Sequence, residues 1–168
     1  SEIWKGDCIQ IGMDPLDTRE KNVYPPSVQE FGFALRDNGQ PATWRWFGQG
    51  RKPAGPLNDA RVAIRRDEKT RRTCYEAAIP LTSLLLLSPA AARYAGISVA
   101  FCDGDEPDKS AGGGPDRKCS IETSPGSMIT AKDPSKFGSL EFLPPSGPRP
   151  PSVTARAAAH IIVGNTTL

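Results

Sequence analysis

The sequence has a single histidine, His160, among 168 residues. A serine–histidine nucleophile would have to use it, yet no G-x-S-x-G turn occurs, so that chemistry has no support. The four cysteines (Cys8, Cys74, Cys102 and Cys119) form no C-x-x-C pair, which argues against a zinc knuckle or a thioredoxin-type site. Gly112 to Gly114 run into a proline rather than a helix, so there is no phosphate loop or dinucleotide fingerprint. The longest aliphatic run, Leu84 to Leu87, is far below the roughly 20 residues needed to cross a bilayer, and no membrane partner is expected.

Charge of one sign is also lacking. Twenty-one basic and nineteen acidic side chains leave a formal charge of +2, which makes no general case for nucleic acid. Arg61, Arg65, Arg66, Lys69, Arg71 and Arg72 cluster against only Asp59, Asp67 and Glu68. No aromatic residue interleaves with them as base stacking requires, so the cluster reads as a solvated hairpin turn.

Glycine (16) and proline (17) are plentiful. Together they reach about a fifth of the chain, against a usual background of roughly 12%. Long helices are disfavoured and short strands with many turns are favoured. The length suits one domain, with or without tails.

Alternation supports this. In residues 7–14, Ile9, Ile11 and Met13 share one face, the period of a half-buried strand. In residues 28–36, Phe31, Phe33 and Leu35 do the same, and Asp37-Asn38-Gly39 then signals a turn. Thr43 to Phe47 is a short aromatic segment. Residues 60–66 and 72–79 read as a hairpin ended by Pro80, which lacks a ladder donor. Thr82 is placed to cap a helical turn through Leu87. Gly96 to Phe101, Ser127 to Thr130 and Ser139 to Leu143 complete seven or eight strands. The expected fold is an all-β antiparallel sandwich. It spans residues 1–143, followed by a proline-rich linker at 144–152 and a tail or docking segment at 153–168.

The even cysteine count allows two disulfides. Cys102 and Cys119 bracket a glycine-rich loop, and Cys8 and Cys74 both lie in strand-like runs; other pairings stay open. Disulfides point to a secreted protein. Asn165-Thr166-Thr167 is a glycosylation sequon.

Three residue sets can carry chemistry. Asp103, Asp105, Glu106 and Asp108 lie in one acidic, glycine-containing loop whose oxygens suit a hard cation such as calcium, with Asp7 and Glu76 as further carboxylates. Asp7, Glu30, Glu76, Asp103 and Asp105 are also the candidates for a paired-carboxylate hydrolase. Trp44 and Trp46 share a strand face and either fill the core or present flat apolar plates for sugar rings. Arg45 and Gln49, with Asn38, Gln40 and Arg51, supply nearby donors for sugar hydroxyls. Trp4 reads as packed at a strand entrance.

Four segments in order resemble family 9 carbohydrate-binding modules. Ile3-Trp4-Lys5-Gly6-Asp7-Cys8-Ile9-Gln10-Ile11 is similar to their W-x-G-D strand, and Tyr75-Glu76-Ala77-Ala78-Ile79-Pro80 to their Y-E-x-x-I-P segment. Ile97 to Asp105 resembles the strand that follows, and Lys132 to Leu140 the closing k-x-P-x-x-f-G-x-l. Leu81 stands where the family often has tryptophan, Cys102 where it has asparagine, and residues 120–128 lack its late tryptophan. The resemblance implies a jelly-roll sandwich, calcium binding, and noncatalytic recognition of oligosaccharide or polysaccharide ends beside a secreted glycoside hydrolase. The family's strands ahead of the W-x-G-D strand are missing, so another chain, a removed segment or Val153 to Val163 is expected to supply them. The alternatives are a structural or protein-interaction sandwich and a carboxylate-based glycoside hydrolase fragment.

Overall fold

The structure, a computed structural model, describes residues 3–47, 54–84, 86–88, 93–104, 119–142 and 161–162. The expected linker at 144–152 lies outside these. The fold is all-β and antiparallel. Its strands are β1 (Cys8–Asp14), β2 (Gln29–Leu35), β3 (Pro41–Phe47), β4 (Arg61–Asp67), β5 (Arg72–Ala78), β6 (Tyr94–Asp103), β7 (Cys119–Glu122), β8 (Gly138–Glu141) and β9 (Ile161–Ile162). The larger sheet runs β3-β2-β1-β6, and the far edge of β6 carries β7 and β8 in succession. There β7 pairs with Ala100 to Asp103, and β8 pairs with Tyr94 to Ile97. The smaller sheet runs β4-β5-β9.

The alternation of β1 and β2 becomes the main core. Ile11, Met13, Phe31 and Phe33 of the larger sheet pack against Val62, Ile64 and Tyr75 of the smaller one, with Leu57, Ile79 and Leu84 filling in. The two sheets bury their apolar faces against each other, as a sandwich does. Arg66 of β4 reaches the Asp7 carboxylate at 3.5 Å and ties the sheets together at one end. Asp67 opposes Arg72, so β4 and β5 form the hairpin expected from the basic cluster. Gly39 has φ 76° in the turn after β2, where the Asn38 carboxamide accepts from Gln40 N at 3.0 Å. A positive φ of this kind is open to glycine at no steric cost.

The other face of the larger sheet is paved with small residues, and loops pack onto it. Cys8, Ala34, Ala42 and Cys102 meet Ile3 and Ile129 there. Val28, Ala100, Met128 and Phe137 form a neighbouring cluster with Tyr24. Gly12 is part of this paving: a β-carbon there would stand 2.7 Å from the Phe137 ring.

Two sequence expectations are corrected. Ser127 to Thr130 is not a strand. Its backbone amides bond instead to the carboxylate of Glu122, which accepts from Ser127 N at 3.2 Å and Met128 N at 2.9 Å, and also from Gly126 N and Ile129 N. Donors engaged by one side chain cannot join a sheet ladder. The strand that does follow the glycine-rich loop is β7, whose four residues carry too short a pattern to read. The helical turn after Pro80 is brief, spanning Leu81–Ser83, and no side chain caps it.

The disulfide pairings drawn from spacing also fail. Cys102 opposes Ser120 while Asp103 opposes Cys119, so Cys102 and Cys119 project from opposite faces of the larger sheet. Cys74 is exposed on β5, on the outer side of the smaller sheet, whereas Cys8 is buried on the far side of the larger one. No disulfide joins the four thiols in this structure.

Candidate functional site

β3 is irregular where it meets β2. Phe31 opposes Arg45, but Glu30 opposes Phe47, so Trp46 is an extra residue in a β-bulge. A bulge re-aims side chains. Here it brings Trp46 and Phe47 onto the same face of the sheet instead of opposite ones. That face is the small-residue one, and Trp46 lies directly over Gly32 of β2.

The result is a cleft of about 340 Å³ lined by Trp4, Gln10, Glu30, Trp46, Phe47, Ile129 and Lys132. Gln10, Glu30 and Trp46 come from the three adjacent strands β1, β2 and β3. Trp4 comes from the short helical turn Ile3–Lys5 that leads into β1. Ile129 and Lys132 come from the loop that Glu122 organises.

Polar groups in the cleft are held in place. Lys132 Nζ stands 2.7 Å from Glu30 Oε2; Glu30 is 3% exposed and Lys132 about a third. The same ammonium sits 5.2 Å from the ring centres of both Tyr24 and Phe47, a cation–π arrangement. Those two rings meet edge to face at 5.1 Å. Burial, reinforced by the nearby Glu30 carboxylate, pushes the Tyr24 phenol above its ordinary pKa, so it stays protonated. Gln10 Nε2 lies 3.5 Å from Cys102 Sγ and 3.9 Å from Cys8 Sγ, which orients its carboxamide on the cleft floor.

The sequence-derived site is partly regrouped. Trp46 lines the cleft. Trp44 is half-buried on the same sheet face and does not line it. Arg45 turns the other way: it is 4% exposed, donates from Nη2 to Ser83 O at 3.0 Å, and lies 5.4 Å from the Phe31 ring. Burial lowers its pKa, while Asp59 works to raise it. Arg45 is therefore buried on the core side of the sheet, away from the cleft. Gln49 lies outside the described residues.

Trp4, Gln10 and Lys132 were missed. The legible signal was a buried polar residue, Gln10, in an otherwise apolar strand. Trp4 and Lys132 fall in segments that resemble family 9 modules, but nothing local places them at the cleft, because they arrive from elements flanking the sheet.

Of the expected calcium set, only Asp7, Glu76 and Asp103 fall among the described residues. Glu76 points outward from β5, opposite Ala63, while Asp7 and Asp103 belong to the end of the other sheet. Asp7 accepts from Gly104 N at 3.1 Å and faces the Arg66 guanidinium. Asp105, Glu106 and Asp108 lie outside the described residues. Among the described residues no three carboxylate, thiol or imidazole groups converge on a metal position. The rest of the expected set lies in the loop that the described residues leave out.

Comparison of the chain with protein-family models, with curated proteins and with solved structures finds no match.

Proposed function

We propose that the cleft between Trp4 and Trp46 binds a saccharide without catalysis, and that the protein serves as an accessory binding module of a secreted carbohydrate-active system. The observation that carries this reading is the grouping of two half-buried indoles with one carboxamide and one internally neutralised ion pair in a single cleft. Indoles offer flat apolar plates to the C–H faces of a sugar ring. Gln10 contributes donors and an acceptor, and the Glu30–Lys132 pair contributes more of each for ring hydroxyls. The volume is at the small end for ligand clefts, which suits one or two sugar units at a chain end.

Glycoside hydrolysis by the usual routes needs two carboxyl groups flanking the scissile bond. Among the described residues the cleft contains one carboxylate, Glu30, and Lys132 neutralises it. This favours binding over turnover. The sequence resemblance to family 9 modules supports this reading, and the jelly-roll connectivity it implies is part of the proposal. Calcium is not.

The test is calorimetric titration with mono- and oligosaccharides chosen from an array. Saturable binding is expected, and Trp46→Ala and Trp4→Ala should each weaken it by about 2 kcal/mol, roughly thirty-fold. Absence of any binding at millimolar sugar, or binding that both substitutions leave intact, would remove the proposal.

A further inference from the structure

Cys8 and Cys102 are direct partners across the antiparallel strands β1 and β6. Residues directly opposed in such a ladder have α-carbons about 4.5 or 5.5 Å apart and project from the same face. Both spacings lie within the roughly 4.4–6.8 Å range that a disulfide spans. The side chains confirm the convergence: both sulfurs lie within 3.9 Å of one nitrogen, Gln10 Nε2. Cys8 is 1% exposed and Cys102 6% exposed, in a cluster with Ala34 and Ala42. Such an enclosure readily accepts an uncharged disulfide. The sheet geometry that excludes the pairings of Cys102 with Cys119 and of Cys8 with Cys74 places Cys8 and Cys102 directly opposite each other on one face.

We propose that Cys8 and Cys102 are a modification site, forming a cross-strand disulfide when the protein meets a low-molecular-weight disulfide oxidant such as oxidised glutathione. The thiolate of Cys102, the more exposed of the two, attacks one sulfur of the oxidant and expels one glutathione thiolate. The Cys8 thiolate then attacks the Cys102 sulfur of the mixed disulfide and expels the second. The protein loses two electrons, glutathione disulfide gains two, and the two thiol protons end on the two glutathione thiolates.

The experiment uses the full chain and its C74S/C119S variant, whose substitutions fall on exposed positions and leave only the proposed pair. Each is incubated with oxidised glutathione, denatured in an alkylating agent, and examined intact and after proteolysis by mass spectrometry. The variant is expected to become lighter by two hydrogens, to take up no alkyl group, and to release a peptide joining Cys8 to Cys102. Its thermal midpoint is expected to rise on oxidation and to return with dithiothreitol. The same linked peptide is expected from the unsubstituted chain. Two thiols still open to alkylation in the oxidised variant, a glutathione adduct that never resolves, or a peptide joining Cys8 or Cys102 to Cys74 or Cys119 in the unsubstituted chain would each overturn the proposal.

Discussion

The indole of Trp46 rests on Gly32 so closely that a β-carbon at position 32 would overlap its six-membered ring. Gly32 is thus the seat that sets the height of one cleft wall. Gly32→Ala is expected to lift the indole into the cleft. Overpacking of this kind costs about 1–3 kcal/mol of stability. Saccharide affinity should fall at least about ten-fold, which corresponds to about 1.4 kcal/mol. Urea unfolding and calorimetric titration, with tryptophan emission to follow the indole, check this. An unchanged affinity would show that Trp46 is not a wall of the binding site.

The ion pair at the back of the cleft predicts an asymmetric response. Lys132→Met leaves the Glu30 carboxylate, 3% exposed, without its cation. Breaking a buried pair costs about 3–5 kcal/mol. Lys132 is partly solvated, so we expect about 2 kcal/mol here. The double substitution Glu30→Gln with Lys132→Met should recover most of that loss. Denaturant midpoints of the three variants decide it; a double variant no better than the single one would contradict the account.

Glu122 holds the loop that delivers Lys132. Its carboxylate accepts from four consecutive backbone amides, those of Gly126 to Ile129. Glu122→Gln keeps the shape but loses the charge and one acceptor oxygen. Hydrogen bonds to charged groups are worth about 1.5–3 kcal/mol each and do not add fully. A loss of about 3 kcal/mol is expected, and hydrogen exchange at residues 126–129 should accelerate more than exchange in β1.

Acid is expected to loosen the same region. The hydroxyl of Ser135 donates to Asp133 Oδ1 at 2.6 Å and holds the carboxyl below its ordinary value of 3.8, with Lys136 helping. A depressed folded-state pKa contributes stability above the unfolded pKa, and that stability is lost as pH falls through the folded pKa. Stability should therefore drop as pH is lowered from about 5 toward 2. Asp133→Asn should flatten the curve in that window while lowering stability at neutral pH. Denaturant unfolding across this pH series is the measurement.

Much of the sandwich was legible in local pattern. Ile9, Ile11 and Met13, then Phe31 and Phe33, alternate strictly because one face of each strand is buried, and a period of two survives in a single sequence. The β4–β5 hairpin was legible for the same reason. The site was legible only in part. Trp46 could be singled out by residue type, but alternation says only that Arg45 faces away from both tryptophans, not which face is buried. The bulge that turns Phe47 beside Trp46 leaves no such mark, since an extra residue is defined only against the neighbouring strand.

The amino-acid order alone determines which residues share a strand face, where turns must fall, and that no apolar run is long enough for a bilayer-crossing helix. Those are consequences of neighbouring residues, fixed by backbone sterics and the two-residue repeat. Only the tertiary structure decides that Trp4 joins Trp46, that Lys132 reaches Glu30 from 102 positions away, and that Cys8 stands across from Cys102. Each joins groups far apart in the chain, and such meetings depend on strand order and register, which no local preference encodes.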